Sequence, residues 1–269
     1  MVYLEEYLKS HKNVEDIPLC DVTLPLIDDF ELWLRTVKEC GHNCAIRYIS
    51  TIRKIFRDAV NYKWIDQDPF YGKTYSKKKT NREHLTEVEL NAVMSLDLKL
   101  LPRLEAVRDV FVFCCFTGLA FSDVSTLTVD MIVTDADGEQ WIRKHREKTD
   151  ELSSIPLLEI PRQILTKYSS HKKITGTGRL LPVLSNQRCN GYLKEIADLA
   201  GIPKKLTTHV ARHTFACMSF DNHVSIETIS KMLGHANIKT TQTYAKMQDK
   251  TISEDMVKMR RKFDSVVMA

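Results

Sequence analysis

No run of apolar residues in this 269-residue sequence is long enough to cross a bilayer, and no secretory signal opens it. Both absences point away from the membrane and from export. Charge of one sign is also lacking: 39 Lys and Arg against 35 Asp and Glu leave a formal +4. That is too mild to diagnose nucleic-acid binding, though it leaves room for a local basic face. The seven cysteines, with Cys114 and Cys115 adjacent in an apolar run, read as reduced cytosolic thiols and not as a disulfide framework. The Cys40-Gly-His-Asn-Cys44 cluster has no second ligand pair at usable spacing, so it reads as helix-turn cysteines, not a metal site. Gly176 and Gly178 are not framed by Gly-Lys-Ser/Thr or GxGxxG, which excludes a phosphate loop there. There is no internal repeat, no low-complexity tract and no cluster of carboxylates to hold magnesium. No metal and no cofactor are expected.

What is present is 43% hydrophobic residues, enough for a real core, in a chain sized for one large domain or two ordinary ones. The pattern is mainly α with a small antiparallel β-sheet. Residues 1–74 read as a helical domain. Tyr3 to Ser10 is a short amphipathic piece, and Thr23 followed by Pro25 opens a helix on which Leu26, Phe30, Trp33 and Val37 recur at helical steps. After Gly41, a longer helix carries the stripe Ala45, Ile49, Ile52, Phe56 and Ala59, with Arg47, Arg53, Lys54 and Arg57 off it. Those cations are either the solvated face of a core helix or a face laid along DNA phosphates. Residues 75–82, with Lys77 and Lys78 among four cations, form a basic linker between two domains. Residues 83–269 begin with a capping box, Thr86 and Glu89. The run from Arg103 to Leu119 is a helix that turns almost wholly apolar and should be buried, stopped or bent at Gly118. Strands follow at 129–133, 140–148 and 153–158, with helices again at 161–168 and 189–200.

The chemistry concentrates between Leu206 and Lys246. His209 and Arg212, three residues apart, share one helix face and can present a proton-transfer group and a planar cation to one target. Gly234-His235 follows an apolar helix, and Tyr244 lies on the next short one. A phosphodiester transition state needs in-line attack, neutralised equatorial oxygens and a proton for the leaving alkoxide. A phenol with an ordinary pKa near 10 needs help to ionise, which cations and donors can give without a metal. His209 and His213 have the spacing of a zinc helix, but Val210 stands where a metalloprotease has its glutamate.

The motifs FTGLAFSDVSTL at 116–127, REKTDELSSIPL at 146–157, HVAR at 209–212 and LGHANIKTTQTYAK at 233–246 resemble those of the tyrosine recombinases, the phage integrase family. The resemblance covers most of the chain. It implies a helical core-type DNA-binding domain over 1–74, the linker 75–82, and a DNA breaking–rejoining catalytic domain over 83–269 ending in an exchange helix at 254–269. DIPLCDVTLPLIDDFELWLR looks most like the conjugative-transposon branch. An N-terminal arm-binding domain, usual in that branch, is expected to be missing from this sequence.

The resemblance further implies a role for each matching residue. Tyr244 would be the nucleophile forming a 3′-phosphotyrosyl bond, and Arg212 would hold the scissile phosphate. His209 would activate or restrain the tyrosine, and His235 would donate to a phosphate oxygen. Lys148 would protonate the 5′-oxygen, and Asp123 would support the active-site arginines. Arg47, Arg53, Lys54, Arg57, Lys77 and Lys78 would contact DNA. The implied partners are double-stranded attachment sites, four protomers on synapsed DNA, a monomer in free solution, and accessory DNA-bending proteins, all in a bacterial cytoplasm at the nucleoid.

One departure matters. The family places an arginine directly after Thr-Gly-Leu, and here that position is Ala120. Arg108, Arg143 and Arg146 are the candidate substitutes, with Arg108 about 18 Å back along its helix. Loss of the cation also leaves open a DNA-binding regulator of the same fold. A strand-relaxing topoisomerase would share the chemistry without joining two sites.

Overall fold

The computed structural model describes residues 2–78, 80, 82–171, 174, 176–244, 256–257 and 260. The chain forms two compact units, Met1–Asn81 and Arg82–Ala269.

The first unit contains α1 (Val2–His11), α2 (Leu24–Thr36) and α3 (His42–Asn61). Pro25 in the first turn of α2 has the fixed φ of a helix start and needs no backbone donor there. Tyr7, Ile27, Phe30, Trp33, Leu34, Ala45, Ile49 and Phe56 make the core with Phe70. The Tyr7 ring meets Phe30 at 5.1 Å and Trp33 at 5.6 Å between centroids, and its hydroxyl donates to Asp29 at 2.8 Å. The buried stripe of α2 differs from the expected one. Ile27 and Leu34 face inward with Phe30 and Trp33, whereas Val37 is 58% exposed because the helix ends at Thr36 and Val37 is its cap.

The segment after Phe70 folds back on these helices. Tyr75 donates to Asp28 at 2.5 Å, His42 Nε2 contacts the Ser76 carbonyl at 3.0 Å, and Asn43 exchanges two hydrogen bonds with the Lys78 backbone. The basic stretch is therefore pinned as far as Lys78.

The second unit opens with α4 (Glu87–Met94), capped as the sequence indicates: Thr86 Oγ1 accepts from Glu89 N at 3.2 Å, and Glu89 Oε2 accepts from Thr86 N at 2.7 Å. Its central element is α5 (Pro102–Thr117), packed against α7 (Glu159–Tyr168), α8 (Asn186–Leu199) and α9 (Thr208–Asp221). Being enclosed on several sides explains why α5 is apolar nearly all round from Val110 to Cys115.

After α6 (Phe121–Ser125), strands β1 (Ile132–Thr134), β2 (Gln140–His145) and β3 (Leu152–Pro156) form an antiparallel sheet in that order. Ile142 and Ile155 are paired and both are buried. All three expected strands are shorter than their patterns, the third ending at Pro156. Val129–Met131 is a 3₁₀ turn, and the second strand stops at His145 so that residues 147–149 can reverse the chain.

The remaining elements are α10 (Ile226–Leu233) and α11 (Ile238–Gln242). Of the tail expected as an exchange helix, 254–269, only Met256, Val257 and Arg260 are described, all helical and exposed, and the rest lies outside the described residues. No described helix is long and apolar enough to cross a membrane.

Gly118 ends α5 in the left-handed region, φ +67°, and a Cβ there would lie 2.4 Å from a Phe215 ring carbon. Gly118→Ala should combine left-handed strain with overpacking and destabilise the second unit by about 2–4 kcal/mol. A lower urea midpoint checks this; an unchanged midpoint contradicts it.

Candidate active site

Helix α9 starts at Thr207, whose side chain accepts from Val210 N, and it carries His209, Arg212 and His213. Arg212 and His213 are each only 3% exposed. Helix α10 ends at Gly234, left-handed at φ +58°, which turns the chain so that His235 follows at the rim. A Cβ on Gly234 would come within 2.5 Å of both the Arg146 side chain and Ser153 Oγ, so the close approach of the β2–β3 turn requires glycine here. Helix α11 then leads to Tyr244, whose amide donates to the Thr241 carbonyl at 3.0 Å.

These elements converge on the Arg212 guanidinium. One Nη1 hydrogen goes to the Gly118 carbonyl at 2.7 Å. The two on Nη2 go to the Leu233 carbonyl at 2.5 Å and to His235 Nε2 at 3.0 Å. Tyr244 is a further side-chain hydrogen-bond partner of the group, so most of its five N–H donors are met within the site. Burial, and then the charge of Arg146, lower its pKa to about 10, while Tyr244 and Asp123 oppose that shift. Arg212 is still charged at neutral pH.

Tyr244, 9% exposed, packs into a small cluster with Phe215, Ile229 and Leu233. Its ring lies 5.0 Å from His213 and 6.3 Å from His235, nearly parallel to the latter. His209 and His213 stand edge to face at 4.2 Å. Burial is the first cause of a depressed pKa in all three histidines. His213 falls to about 3, with the charges of His209 and Arg82 next in weight. His235 falls to about 4, with Arg212 and Arg146 next. His209 shifts downward, with Arg82, Arg212 and Lys148 adding to the effect. All three rings are neutral at neutral pH, each with one donor and one acceptor nitrogen.

The β2–β3 turn brings Lys148 to the same rim. Lys148 is exposed in the turn, and its charge is felt at His209. Its neighbours are held. Glu147 N donates to Asp123 Oδ1 at 3.1 Å, Glu147 Oε1 accepts from Thr126 at 3.0 Å and from the buried Lys144 at 3.2 Å, and Thr149 donates to the Gly234 carbonyl at 3.3 Å.

Ala120 is the cap of α6 and brings no charge. Of the three candidate substitutes, Arg108 is engaged elsewhere, with Asp109 at 2.6 Å and the Met94 and Leu96 carbonyls. Arg143 is exposed on β2, where its charge acts on Asp135. Arg146 is the one inside. Its side chain is 10% exposed, Nη1 donates to the Gly234 carbonyl at 3.1 Å, and Nε lies 3.5 Å from Asp123 Oδ2. Both Arg146 Nε and Asp123 Oδ2 are buried without a hydrogen bond among the described residues. Arg146 Nε thus faces the Asp123 carboxylate as an ion pair, which holds a second guanidinium near Arg212. The sequence alone could not place Arg146 here, because its position depends on how the hairpin curls over Gly234.

The other predicted cations lie in the first unit. Arg53, Lys54 and Arg57 line a cavity of about 240 Å³ with Ile49, Ser50 and Tyr75. Arg47 is exposed on the same helix, its guanidinium 5.8 Å from the Tyr48 ring, and Lys77 and Lys78 are exposed on the pinned segment. No carboxylate pairs with Arg47, Arg53, Lys54 or Arg57 among the described residues.

The profile described as the phage integrase family matches residues 83–251, and that of the phage integrase SAM-like domain matches residues 1–80. Tyrosine recombinase XerD of Oceanobacillus iheyensis is 27% identical over 255 residues, which is 89% of this chain and 82% of that protein. A Tn1549 transposon integrase in complex with a circular intermediate DNA superposes with a TM-score of 0.73 at 18% identity, covering 94% of this chain and 90% of that one. A lambda integrase dimer bound to a COC′ core site gives 0.68 at 19%, covering 92% and 89%. With its signature residues gathered around one buried guanidinium and most of its length matched, the chain belongs to the phage integrase family and is a tyrosine recombinase.

Proposed function

We propose that the chain is the site-specific integrase of a mobile element and that Arg146 replaces the arginine absent at position 120. The observation that carries this is Arg146 tucked beside the buried Arg212, held by the Gly234 carbonyl and ion-paired with Asp123, in a site that also gathers the Tyr244 phenol and three neutral imidazoles. In this reading the two arginines hold the non-bridging oxygens of the scissile phosphate, and Asp123 orients Arg146. Tyr244 Oη forms a bond to phosphorus as the bond from phosphorus to the 5′-oxygen breaks. The phenol proton passes to a neutral imidazole, the role given to His209, which reaches Tyr244 by way of the adjoining His213 ring, and Lys148 gives a proton to the departing oxygen. The product is a 3′-phosphotyrosyl adduct and a free 5′-hydroxyl. A 5′-hydroxyl from a second site reverses the step, so phosphodiester energy is conserved without ATP.

The rest of the reading follows the same chemistry. Residues 1–74 would bind core-site DNA, with Arg47, Arg53, Lys54, Arg57, Lys77 and Lys78 on phosphates. Residues 75–82 would connect to the catalytic residues 83–269. Four protomers would join two double-stranded sites, with 254–269 exchanged between neighbours and DNA-bending proteins assisting, at the bacterial nucleoid. The regulator alternative rested on a missing second cation, which on this reading Arg146 would supply.

Two measurements test the proposal. Duplexes selected from a randomised pool by binding to the Tyr244→Phe variant, then nicked to make cleavage irreversible, should trap the wild type covalently at Tyr244, shown by peptide mapping. Arg146→Ala should slow trapping on the order of a hundred- to thousandfold with DNA retention intact; trapping at the wild-type rate would sink the assignment of Arg146. In the first unit, Arg53→Gln should weaken binding and reduce the slope of log affinity against log salt by about 0.9. An unchanged slope removes Arg53 from the phosphate contacts.

A further inference from the structure

The hydrogen bonds around His235 fix its tautomer. An arginine side chain carries donors and no acceptor, so the 3.0 Å contact from Arg212 Nη2 makes His235 Nε2 an acceptor. The single proton of the neutral ring then sits on Nδ1, which donates it to Thr241 Oγ1 at 2.8 Å. In this state the nitrogen facing Arg212 has no hydrogen for a phosphate oxygen. Phosphate oxygens are acceptors only, so a ring that is to hold one must carry its hydrogen on Nε2 and accept at Nδ1.

Thr241 makes that reversal possible without moving a heavy atom. Its hydroxyl is both donor and acceptor, and rotation about the C–O bond turns its hydrogen toward Nδ1. Thr241 is fully buried, so water does not compete for the role. Its carbonyl also receives the Tyr244 amide at 3.0 Å, which ties the partner of His235 to the backbone of the nucleophile. On the recombinase reading above, we propose that Thr241 is a positioning residue that lets His235 switch from the Nδ1–H tautomer in the resting site to the Nε2–H tautomer when a phosphate is bound. The ring takes one proton at Nε2 from water and releases the one on Nδ1 to water during a transient opening of the Thr241 contact, so its charge does not change. As the switch occurs, Arg212 Nη2 is released from the ring to the phosphate.

The test uses the whole chain and the nicked duplexes described above. Thr241→Val keeps the shape and removes the hydroxyl, and Thr241→Ser keeps the hydroxyl. Thr241→Val should trap DNA at least about tenfold more slowly than the wild type, because the Nε2–H state then leaves buried Nδ1 without a donor. DNA retention should stay within about twofold, and Thr241→Ser should recover most of the rate. Trapping by Thr241→Val at the wild-type rate overturns the proposal, as does equal loss in both variants, which would mean a packing role. Imidazole nitrogen resonances give an independent reading. His235 should be Nδ1–H in the free chain and Nε2–H in the Tyr244→Phe variant bound to duplex. An Nε2–H ring in the free chain is contrary to the proposal. If the wild type trapped no duplex, the recombinase reading would fail, while the free-chain resonance would still decide the tautomer.

Discussion

The second unit depends on burying one positive charge. A guanidinium removed from water is costly unless its donors are met, and Arg212 is 3% exposed. Its partners are the carbonyls of Gly118 and Leu233, which lie at the C-terminal ends of α5 and α10. The last carbonyls of a helix have no intrahelical donor, and the helix dipole makes that end negative. Two helix ends are therefore aimed at one cation, each supplying what the other side lacks. Both helices stop on a left-handed glycine. Gly118 and Gly234 thus act through geometry: they stop the helices where the carbonyls can reach the charge, and they allow Phe215, Leu233 and Arg146 to approach.

Arg146 adds a second charge to a place already positive. Each arginine raises the cost of charging its neighbours, which is why Arg146 appears among the causes lowering the pKa of both Arg212 and His235. Asp123, buried at 1% exposure, offsets part of this through Oδ2, 3.5 Å from Arg146 Nε, while its Oδ1 accepts from Glu147 N. The site is left with more positive than negative charge. On the proposed reading, a phosphodiester supplies the missing negative charge. Keeping the histidines neutral serves the same balance, since a third cation would cost more and would lose its acceptor nitrogen.

The sequence made most of this visible because the chain order of the motifs is local. The apolar run ending at Gly118, the His209–Arg212 spacing, Gly234-His235 and Tyr244 each occupy one short segment, and a helix period or a helix stop explains each. Misreadings arose where tertiary packing decides. Val37 fitted the stripe of α2 by spacing, but the helix had already ended. Residues 146–148 continued a strand pattern, but pairing of β2 with β3 ends at His145 and Leu152. The choice among Arg108, Arg143 and Arg146 could not be made from spacing, since it turns on which side chain folds over Gly234. Thr241 gave no signal of its own, because a threonine in a short helix looks like an ordinary capping or packing residue until His235 is placed beside it.

The β2–β3 turn shows how the fold reconciles holding with reaching. Arg146 and Thr149 are tied to the Gly234 carbonyl, and Glu147 is tied to Asp123, Thr126 and Lys144. Lys148 lies between these fixed neighbours and is exposed. Its backbone is set by the turn, while its four-carbon stem remains free to sweep the rim. A proton donor for a departing oxygen needs that combination. The leaving group moves away from phosphorus as its bond breaks, so the donor must follow it over a short arc. The phosphate oxygens hardly move, so their partners should be rigid. On the proposed reading, the chain meets the two demands by holding the arginines against helix ends and leaving Lys148 at the tip of a pinned turn.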